Sequence, residues 1–316
     1  MRRDNSDYLT EADKRRKGFH LDIIRDILTV ITGVCLFVGS LIIGKHIYDG
    51  RVTNDQMEDL RALIAEDEAK SKIEATDAAV VNGNGQDEDK RPDETGGVAA
   101  SPAVEEEGDG LSILSKYRGV YEKNSDVCGW LYIEGTVINY PVMQTPSDEE
   151  YYMHRDFYGR NNADGCLVMD TDSVVGVGNR SHNYEGGTAP STNLIIHGHH
   201  LIKSAMFGDL VDYRSEEYGK AHSKICFDSL YEKREYELIA AFDTRVYNKD
   251  DQVFKYYNFF NAENEEEFNY FYNNIKKMSA YDTGVTAEFG DEFLTLSTCA
   301  YQAANGRFVV VAKRVK

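Results

Sequence analysis

The feature that most constrains this chain is a run of eighteen residues without a charged side chain, Ile27 to Gly44, close to the N-terminus. A helix that spans a bilayer needs about 17–25 such residues, so this run predicts a membrane-crossing helix. The run is longer than the apolar part of a typical secretory signal peptide, and no small-x-small cleavage site follows it. We therefore expect an uncleaved membrane anchor over residues 27–47.

Basic residues flank this apolar run unequally. Seven Lys and Arg residues precede it within 1–26, whereas only Lys45 and Arg51 follow it closely. An excess of positive charge keeps the flanking segment in the cytoplasm. The sequence thus predicts a cytoplasmic tail over 1–26, a single crossing of the cell membrane, and an extracellular location for the remainder of the chain.

An acidic stretch over residues 48–110 separates the anchor from the rest of the chain. Its first part permits a helix but holds too few apolar residues for a strong packing stripe. Its second part, 81–110, is rich in Gly, Asp and Glu and contains no aromatic residue. Such a composition cannot bury enough surface to fold. We expect a partly helical and then flexible linker, with the globular domain beginning near Leu111 and covering 111–316.

The composition also narrows the class of partner and cofactor. A formal net charge of −19 argues against nucleic acid, because phosphate binding requires a basic surface. The five cysteines are odd in number and irregularly spaced, which is not typical of a disulfide framework or of a zinc site. The sequence therefore predicts no nucleic-acid partner, no cofactor and no metal.

From residue 111 onward the sequence consists of short apolar runs, many of them alternating, that are separated by turn residues. Such runs predict strands. Many short strands with helices between them favour a mainly β fold, a closed barrel, over a doubly wound sheet. Strands are predicted as a pair within 128–143 and at 165–170, 193–198, 224–231, 234–247, 293–299 and 307–315, and helices at 111–123, 147–157, 204–218 and 262–278.

Cys299 and Arg307 stand at the facing ends of the last two predicted strands. The seven residues between them end in Asn305-Gly306, which favours a hairpin turn. Pairing of the two strands would place the thiol and the guanidinium side by side at one sheet edge. A fixed positive charge there favours the thiolate and can hold an oxyanion, so the pair points to nucleophilic catalysis. The alternative is a cysteine that fills the core beside a surface arginine.

A thiol nucleophile also needs a proton donor for its leaving group, and histidine is the usual one. The apolar run 193–196 leads directly into His197, Gly198, His199 and His200. One of these histidines at a strand end could face Cys299. The alternative is a metal site, since alternation would place His197 and His199 on one face. No third ligand stands at a standard spacing, and a structural role for His197 and His200 remains open.

Several segments of the chain together resemble the sortase family, and within it class B. The likeness covers residues 111–316, and the combination of segments is more specific than any one of them. The segments are "TLSTC" (295–299), "RFVVVAKRV" (307–315), "LIIHGHHL" followed by "MFGDL", "INYPVMQTPSDEEYYMHRDFYG" and "GCLVMD". The resemblance implies a sortase-type β-barrel and a thiol-dependent transpeptidase of Gram-positive cell walls.

The resemblance also implies a role for individual residues. Cys299 becomes the nucleophile and His199 the general acid and base. Arg307 becomes the stabiliser of the oxyanion and a clamp for the substrate, and Ser297 lines the substrate groove. The helix predicted over 262–278 corresponds to the helix that class B members insert before the cysteine strand, where it forms one wall of the groove.

This chain departs from the class B pattern at three places. His197 stands where the family more often has tyrosine. The loop 173–192 is longer and more polar than the pattern leads us to expect, and its role is open. Ala300 follows Cys299 at a position where an acidic residue is sometimes found.

The resulting hypothesis is an anchored cysteine transpeptidase, which cleaves a C-terminal sorting motif after Thr. Its partners would be a surface protein bearing that motif and an amine acceptor from a peptidoglycan precursor or a pilin. The resemblance to class B favours a motif of the N-P-x-T-x or S-P-x-T-x type. One rival is an anchored binding or metal-capturing module that uses His197, His199 and His200. A lesser rival, an L,D-type peptidoglycan transpeptidase, carries a compact S-H-G-C-x-R signature that is not found here.

Overall fold

A computed structural model of the chain describes residues 11–82, 110–201, 205–300 and 305–316; within 11–82, side chains are described for Arg16, Phe19 and 22–73. Residues 1–10 of the predicted cytoplasmic tail, residues 83–109 of the predicted linker and most of the loop after Cys299 lie outside the described residues. The chain divides into two compact units, residues 1–52 and residues 53–316.

The helices and strands follow in chain order. The helices are α1 (Glu11–Asn82), α2 (Ser115–Lys123), α3 (Glu216–Ala221) and α4 (Glu265–Met278). Short 3-10 turns lie at Tyr151–His154, Arg180–His182, Gly208–Arg214 and Tyr256–Asn258. The strands are β1 (Val127–Tyr132), β2 (Asn139–Met143), β3 (Leu167–Met169), β4 (Asn193–Gly198), β5 (His200–Leu201), β6 (Ala205–Met206), β7 (Lys224–Ser229), β8 (Glu235–Arg245), β9 (Phe293–Cys299) and β10 (Gly306–Arg314).

Within the first unit, α1 carries the apolar run predicted from the sequence. Among the described helices, α1 alone is long and apolar enough to cross a bilayer by length and composition. None of the side chains in its apolar window is buried. The helix is thus a candidate membrane span.

Eight strands of the second unit close a barrel in the order β1-β2-β3-β4-β9-β10-β8-β7. Most neighbours are antiparallel, whereas β2 pairs with β3 and β4 pairs with β9 in parallel. Closure leaves no strand edge unpaired, which suits a sheet assembled from short strands. The barrel confirms the predicted mainly β fold with inserted helices.

Apolar side chains on the two faces of β10 are buried in two separate clusters. The interior holds one large cluster, which includes Phe308 and Val310 of β10. The alternate residues of β10, Val309 and Val311, face outward into a second cluster. The aromatic face of α4 covers this second cluster through Phe268, Phe271 and Ile275. α4 therefore packs on the outer face of β8 and covers the outward-facing residues of the neighbouring strand β10.

The part of α1 that belongs to the second unit packs against the barrel. Met57 and Leu60 are buried there. Gln56 donates to the Asp156 carboxylate at 2.9 Å, and Arg61 donates to the Asn139 carbonyl at 2.9 Å. The sequence indicated a helix without a strong packing stripe, and these polar bonds to distant residues are what complete the contact.

The polar loop 173–192 closes one end of the barrel. Arg314, whose side chain is 1% exposed, pairs with Glu232 at 2.6 Å and with Glu292 at 2.8 Å. Within the loop, Arg180 binds Glu292 at 2.8 Å, and the Tyr184 hydroxyl accepts from Arg314 at 3.0 Å. We call this set of five residues the closed end of the barrel. At the opposite end β9 finishes and β10 begins; we call it the active end, because the sequence predicts the catalytic residues there.

Two predicted helices are shorter than their sequence pattern indicated. The helix predicted over 147–157 is only the 3-10 turn Tyr151–His154. The helix predicted over 204–218 divides into a 3-10 turn and α3, because Ser215 is extended and its side chain caps α3 by accepting from Tyr218 N. In both cases tertiary contacts override local helix propensity.

Candidate active site

Strands β9 and β10 bring Cys299 and Arg307 together. The two strands are antiparallel, and Arg307 is the register partner of Cys299. The turn between them contains Asn305 in the left-handed region, at φ 55°, a conformation that asparagine tolerates better than most residues. The pairing predicted from the Asn305-Gly306 turn is confirmed.

Strand β4 brings His199 to the same end of the barrel. Its last paired residue, Gly198, lies opposite Thr298 of β9, so His199 and Cys299 are each the next residue along two parallel neighbours. The Thr298 hydroxyl donates to the Gly198 carbonyl at 2.8 Å and ties the two strand ends together. A side chain at position 198 would meet Leu167 at 2.5 Å, so only glycine fits before the histidine.

Cys299 differs from the other cysteines of the second unit in its surroundings. Burial raises the pKa of the Cys128 thiol to about 12 and raises that of Cys166 as well. Burial, reinforced by nearby carboxylates, also raises the pKa of Cys226. These three thiols stay protonated and unreactive near neutral pH. Cys299 is half-buried at a strand end, with an arginine beside it.

A hydroxyl pair adjoins Cys299 on the outer face of β9. The Tyr256 hydroxyl lies 2.6 Å from Ser297 Oγ, and both side chains are buried. Burial raises the pKa of Tyr256 to about 12, with Arg307 acting to lower it and Cys299 to raise it. Both groups therefore lie within electrostatic range of this phenol, which stays neutral. Ser297, Cys299 and Arg307 therefore lie on the same outer face of β9 and β10, with Tyr256 packed against Ser297.

The ring of His199 is held on two sides. Its Nε2 lies 2.6 Å from the carbonyl oxygen of Met153, in the 3-10 turn Tyr151–His154. The His154 ring stacks on it, with 5.3 Å between centroids and 28° between planes. Burial lowers the pKa of His199, and a charge on His154 lowers it further, against the opposing effects of the Met153 hydrogen bond and of Asp164. The imidazole is therefore mostly neutral near pH 7.

The other two histidines of this segment have different partners. His197 Nε2 lies 3.2 Å from Asp170 Oδ2 and 3.6 Å from Glu149 Oε1. Within the described part of the chain, this is the one group whose spacing would suit a cation, and it includes neither His199 nor His200. Because Glu149 is exposed and contacts of the His197 ring with the two carboxylates account for the spacing, we assign these side chains as a polar cluster and not as a metal site. His200 is half-buried in β5.

The structure thus places Cys299, Ser297 and Arg307 on the adjacent strands β9 and β10, and His199 directly after the end of β4, at the same end of the barrel. Tyr256, Met153 and His154 were not predicted from the sequence. Met153 and His154 lie inside the segment "INYPVMQTPSDEEYYMHRDFYG", which resembles class B, but nothing in its pattern indicates contact with His199. Tyr256 stands among other aromatic residues before α4 and carries no distinguishing signal.

A closed barrel with a cysteine, a histidine and an arginine at one end of three adjacent strands is the arrangement of a cysteine transpeptidase. Comparison with known proteins agrees: the sortase domain family matches residues 131–315, more than half of the chain. The chain belongs to the sortase family, and its relatives place it with the class B members.

Two curated relatives and one solved structure support this placement. The chain is 30% identical to sortase B of Staphylococcus aureus over 206 residues, 65% of this chain and 76% of that protein. It is 24% identical to sortase B of Listeria monocytogenes over 297 residues, 92% and 96% of the two chains. A Staphylococcus aureus sortase B–substrate complex matches with a TM-score of 0.54 at 28% identity, covering 65% of this chain and 87% of that chain.

Proposed function

We propose that this sortase cleaves a sorting motif after Thr through Cys299 and joins the new carboxyl end to an amine on the cell surface. The observation that carries the proposal is the strand register, which pairs Arg307 with Cys299 and sets His199 one step beyond the pair Gly198 and Thr298. A nucleophile, a fixed positive charge and a proton carrier are thereby available to one carbonyl group.

The first half of the reaction forms a thioester. The Cys299 thiolate attacks the Thr carbonyl carbon, and the guanidinium of Arg307 stabilises the oxyanion that develops. The C–N bond then breaks, and His199 as imidazolium donates its proton to the departing amine. Because the His199 pKa is lowered, this imidazolium loses its proton readily.

The second half of the reaction transfers the acyl group to the acceptor. An incoming amine attacks the thioester carbonyl, a C–N bond forms and the C–S bond breaks. The amine proton passes to His199, and the thiolate of Cys299 is regenerated. Ser297 and Tyr256, hydrogen-bonded to each other and buried beside the cysteine, support from beneath the surface on which the sorting motif would lie.

The membrane topology belongs to the same proposal. The basic excess before the apolar run of α1 supports a cytoplasmic N-terminus and an extracellular barrel. The partners in this arrangement are a surface protein with an N-P-x-T-x or S-P-x-T-x motif and an amine of a peptidoglycan precursor or of a pilin lysine.

Mass spectrometry of the full chain in detergent micelles tests the proposal. We expect a library of sorting peptides to leave a thioester adduct on Cys299, and an added amine to release it as a transfer product. Cys299→Ala should abolish both. Cys226→Ala, which removes another half-buried cysteine on β7, is the matched control and should retain them. Undiminished transfer by Cys299→Ala would refute the proposal.

A further inference from the structure

The 3-10 turn Tyr151–His154 presents one backbone carbonyl to the catalytic histidine, and the rest of the turn is already bonded. The carbonyl of Tyr151 accepts from Arg155 Nη1 at 2.7 Å, and that of Tyr152 accepts from Cys166 N at 3.0 Å. The His154 carbonyl accepts from Asn162 N at 3.0 Å. The remaining carbonyl, that of Met153, lies 2.6 Å from His199 Nε2.

Contacts of Tyr152 and Gly165 with neighbouring residues fix the position of this turn. Tyr152 is buried, and its hydroxyl donates to Asp126 at 2.8 Å while it accepts from Asn124 at 2.8 Å. Gly165, at φ +64°, packs directly against the Met153 carbonyl, where an added Cβ would overlap the oxygen. The carbonyl therefore cannot move away from His199 without disturbing its neighbours.

A carbonyl oxygen can only accept a hydrogen bond, whereas each nitrogen of a neutral imidazole has a single role, donor or acceptor. A contact of 2.6 Å between Nε2 and this oxygen requires the hydrogen on Nε2, because two lone pairs would otherwise face each other. Neutral His199 then has its lone pair on Nδ1. The stacked ring of His154 restricts rotation of the imidazole out of this orientation.

We propose that the Met153 carbonyl, held in place by Gly165, fixes His199 as the Nε2–H tautomer, so that Nδ1 is the nitrogen that exchanges the proton with the substrate amine. Met153, Gly165 and His154 are positioning residues that act through His199. Only the last step, proton exchange with the amine, rests on the proposed function; the tautomer is a property of the folded protein.

Nitrogen NMR of the full chain in micelles, with ring-labelled histidine, tests the tautomer directly. The His199 signals are those missing from His199→Asn. Above the pH at which His199 loses its charge, we expect a protonated, pyrrole-type Nε2 and an unprotonated, pyridine-type Nδ1. The reverse assignment, or equal populations of both tautomers, would overturn the proposal. Because no turnover is measured, the result is independent of the catalytic role of Cys299.

Two glycine variants test whether the carbonyl matters for turnover. Gly165→Ala pushes against the Met153 carbonyl, whereas Gly159→Ala places the same strain on a residue at φ +77° but meets only Tyr151 Oη at 3.4 Å. We expect Gly165→Ala to lower kcat about tenfold with little change in KM, less than the ~10²–10⁴-fold that loss of a general acid–base costs. Gly159→Ala should stay within about threefold.

The outcomes of the glycine variants separate positioning from stability. Gly165→Ala should also reduce the Nε2–H population of His199, which a loss of stability alone would not do. Equal kcat in both folded variants would contradict the proposal. If Gly165→Ala does not fold, the wild-type tautomer measurement decides by itself. If Cys299→Ala instead retained transfer, the proposed function would fail while the tautomer assignment stood.

Discussion

Two arginines on the same strand, β10, have opposite surroundings at the two ends of the barrel. At the closed end the side chain of Arg314 is 1% exposed and binds two carboxylates and a phenol. At the active end Arg307 is half-buried, and its one hydrogen bond within the described residues goes to the carbonyl of Gly306. An arginine with most of its donors bonded inside the protein stabilises a fold, whereas one with donors to spare can bind a substrate anion.

Replacing the buried arginine gives the largest expected effect. Arg314→Met removes a buried charge partner from both Glu232 and Glu292, although Arg234 and Arg180 still bind them, and breaking a buried ion pair costs about 3–5 kcal/mol. We expect this loss in the free energy of unfolding, measured by urea titration of the full chain in micelles with Trp130, the single tryptophan, as the fluorophore. The specific activity of the molecules that remain folded should be unchanged.

A neighbouring lysine provides the control for this prediction. Lys313 precedes Arg314 on β10 and pairs with Asp291 at 3.3 Å, but its side chain is 23% exposed. Lys313→Met should cost less than about 1 kcal/mol, as exposed ion pairs usually do. Equal losses in the two variants, or a loss of specific activity in Arg314→Met, would contradict the division of roles between the two ends.

The arginine of the active end should show the opposite behaviour. Arg307→Ala removes the proposed oxyanion donor, so we expect kcat/KM for sorting peptides to fall ~10²–10³-fold, equivalent to about 2.7–4 kcal/mol of transition-state stabilisation. The free energy of unfolding should change by less than about 0.5 kcal/mol, as for a surface substitution. Arg307→Lys, which keeps the charge but not the fork of donors, should recover part of the rate. A loss below about threefold would remove Arg307 from this role.

The active end was more predictable from the sequence than the closed end. Strands β9 and β10 are long apolar runs, and the Asn305-Gly306 turn between them sets their register, so local patterns sufficed to pair Cys299 with Arg307. The closed end depends on ion pairs between residues far apart in sequence, such as Arg180 and Glu292. No periodicity marks such partners, which is why the role of the loop 173–192 could not be inferred.

The absence of a local sequence signal also explains why two other contacts were not predicted: that of α1 with the barrel and that of His199 with Met153. The part of α1 beyond residue 52 has few apolar residues, and its contact with the barrel is completed by Gln56 and Arg61 through partners 100 and 78 residues away. At the site, His199 was identified by resemblance to a family motif. Its hydrogen bond to Met153 uses a backbone carbonyl, and the identity of a residue says nothing about where its carbonyl points.

The smallest expected effect is the pH dependence of the stability that the closed end contributes through Glu232. Burial alone would raise the pKa of Glu232, but the Arg180 backbone N–H and the charges of Arg234 and Arg314 outweigh it and hold this pKa below its ordinary value. The folded protein therefore binds this proton more weakly than the unfolded chain. The stabilisation is fully present above the ordinary carboxyl pKa and is lost as pH falls through the lowered one.

Glu232→Gln isolates this contribution. We expect the difference in the free energy of unfolding between wild type and Glu232→Gln to be largest at pH 7 and to shrink steadily below pH 4.5, the ordinary pKa of the group. Glu237→Gln, an exposed carboxylate on β8, should change the free energy of unfolding by less than about 0.5 kcal/mol at either pH. A difference for Glu232→Gln that stayed constant down to pH 3 would mean that the closed end is held by packing, and that its contrast with the active end is not electrostatic.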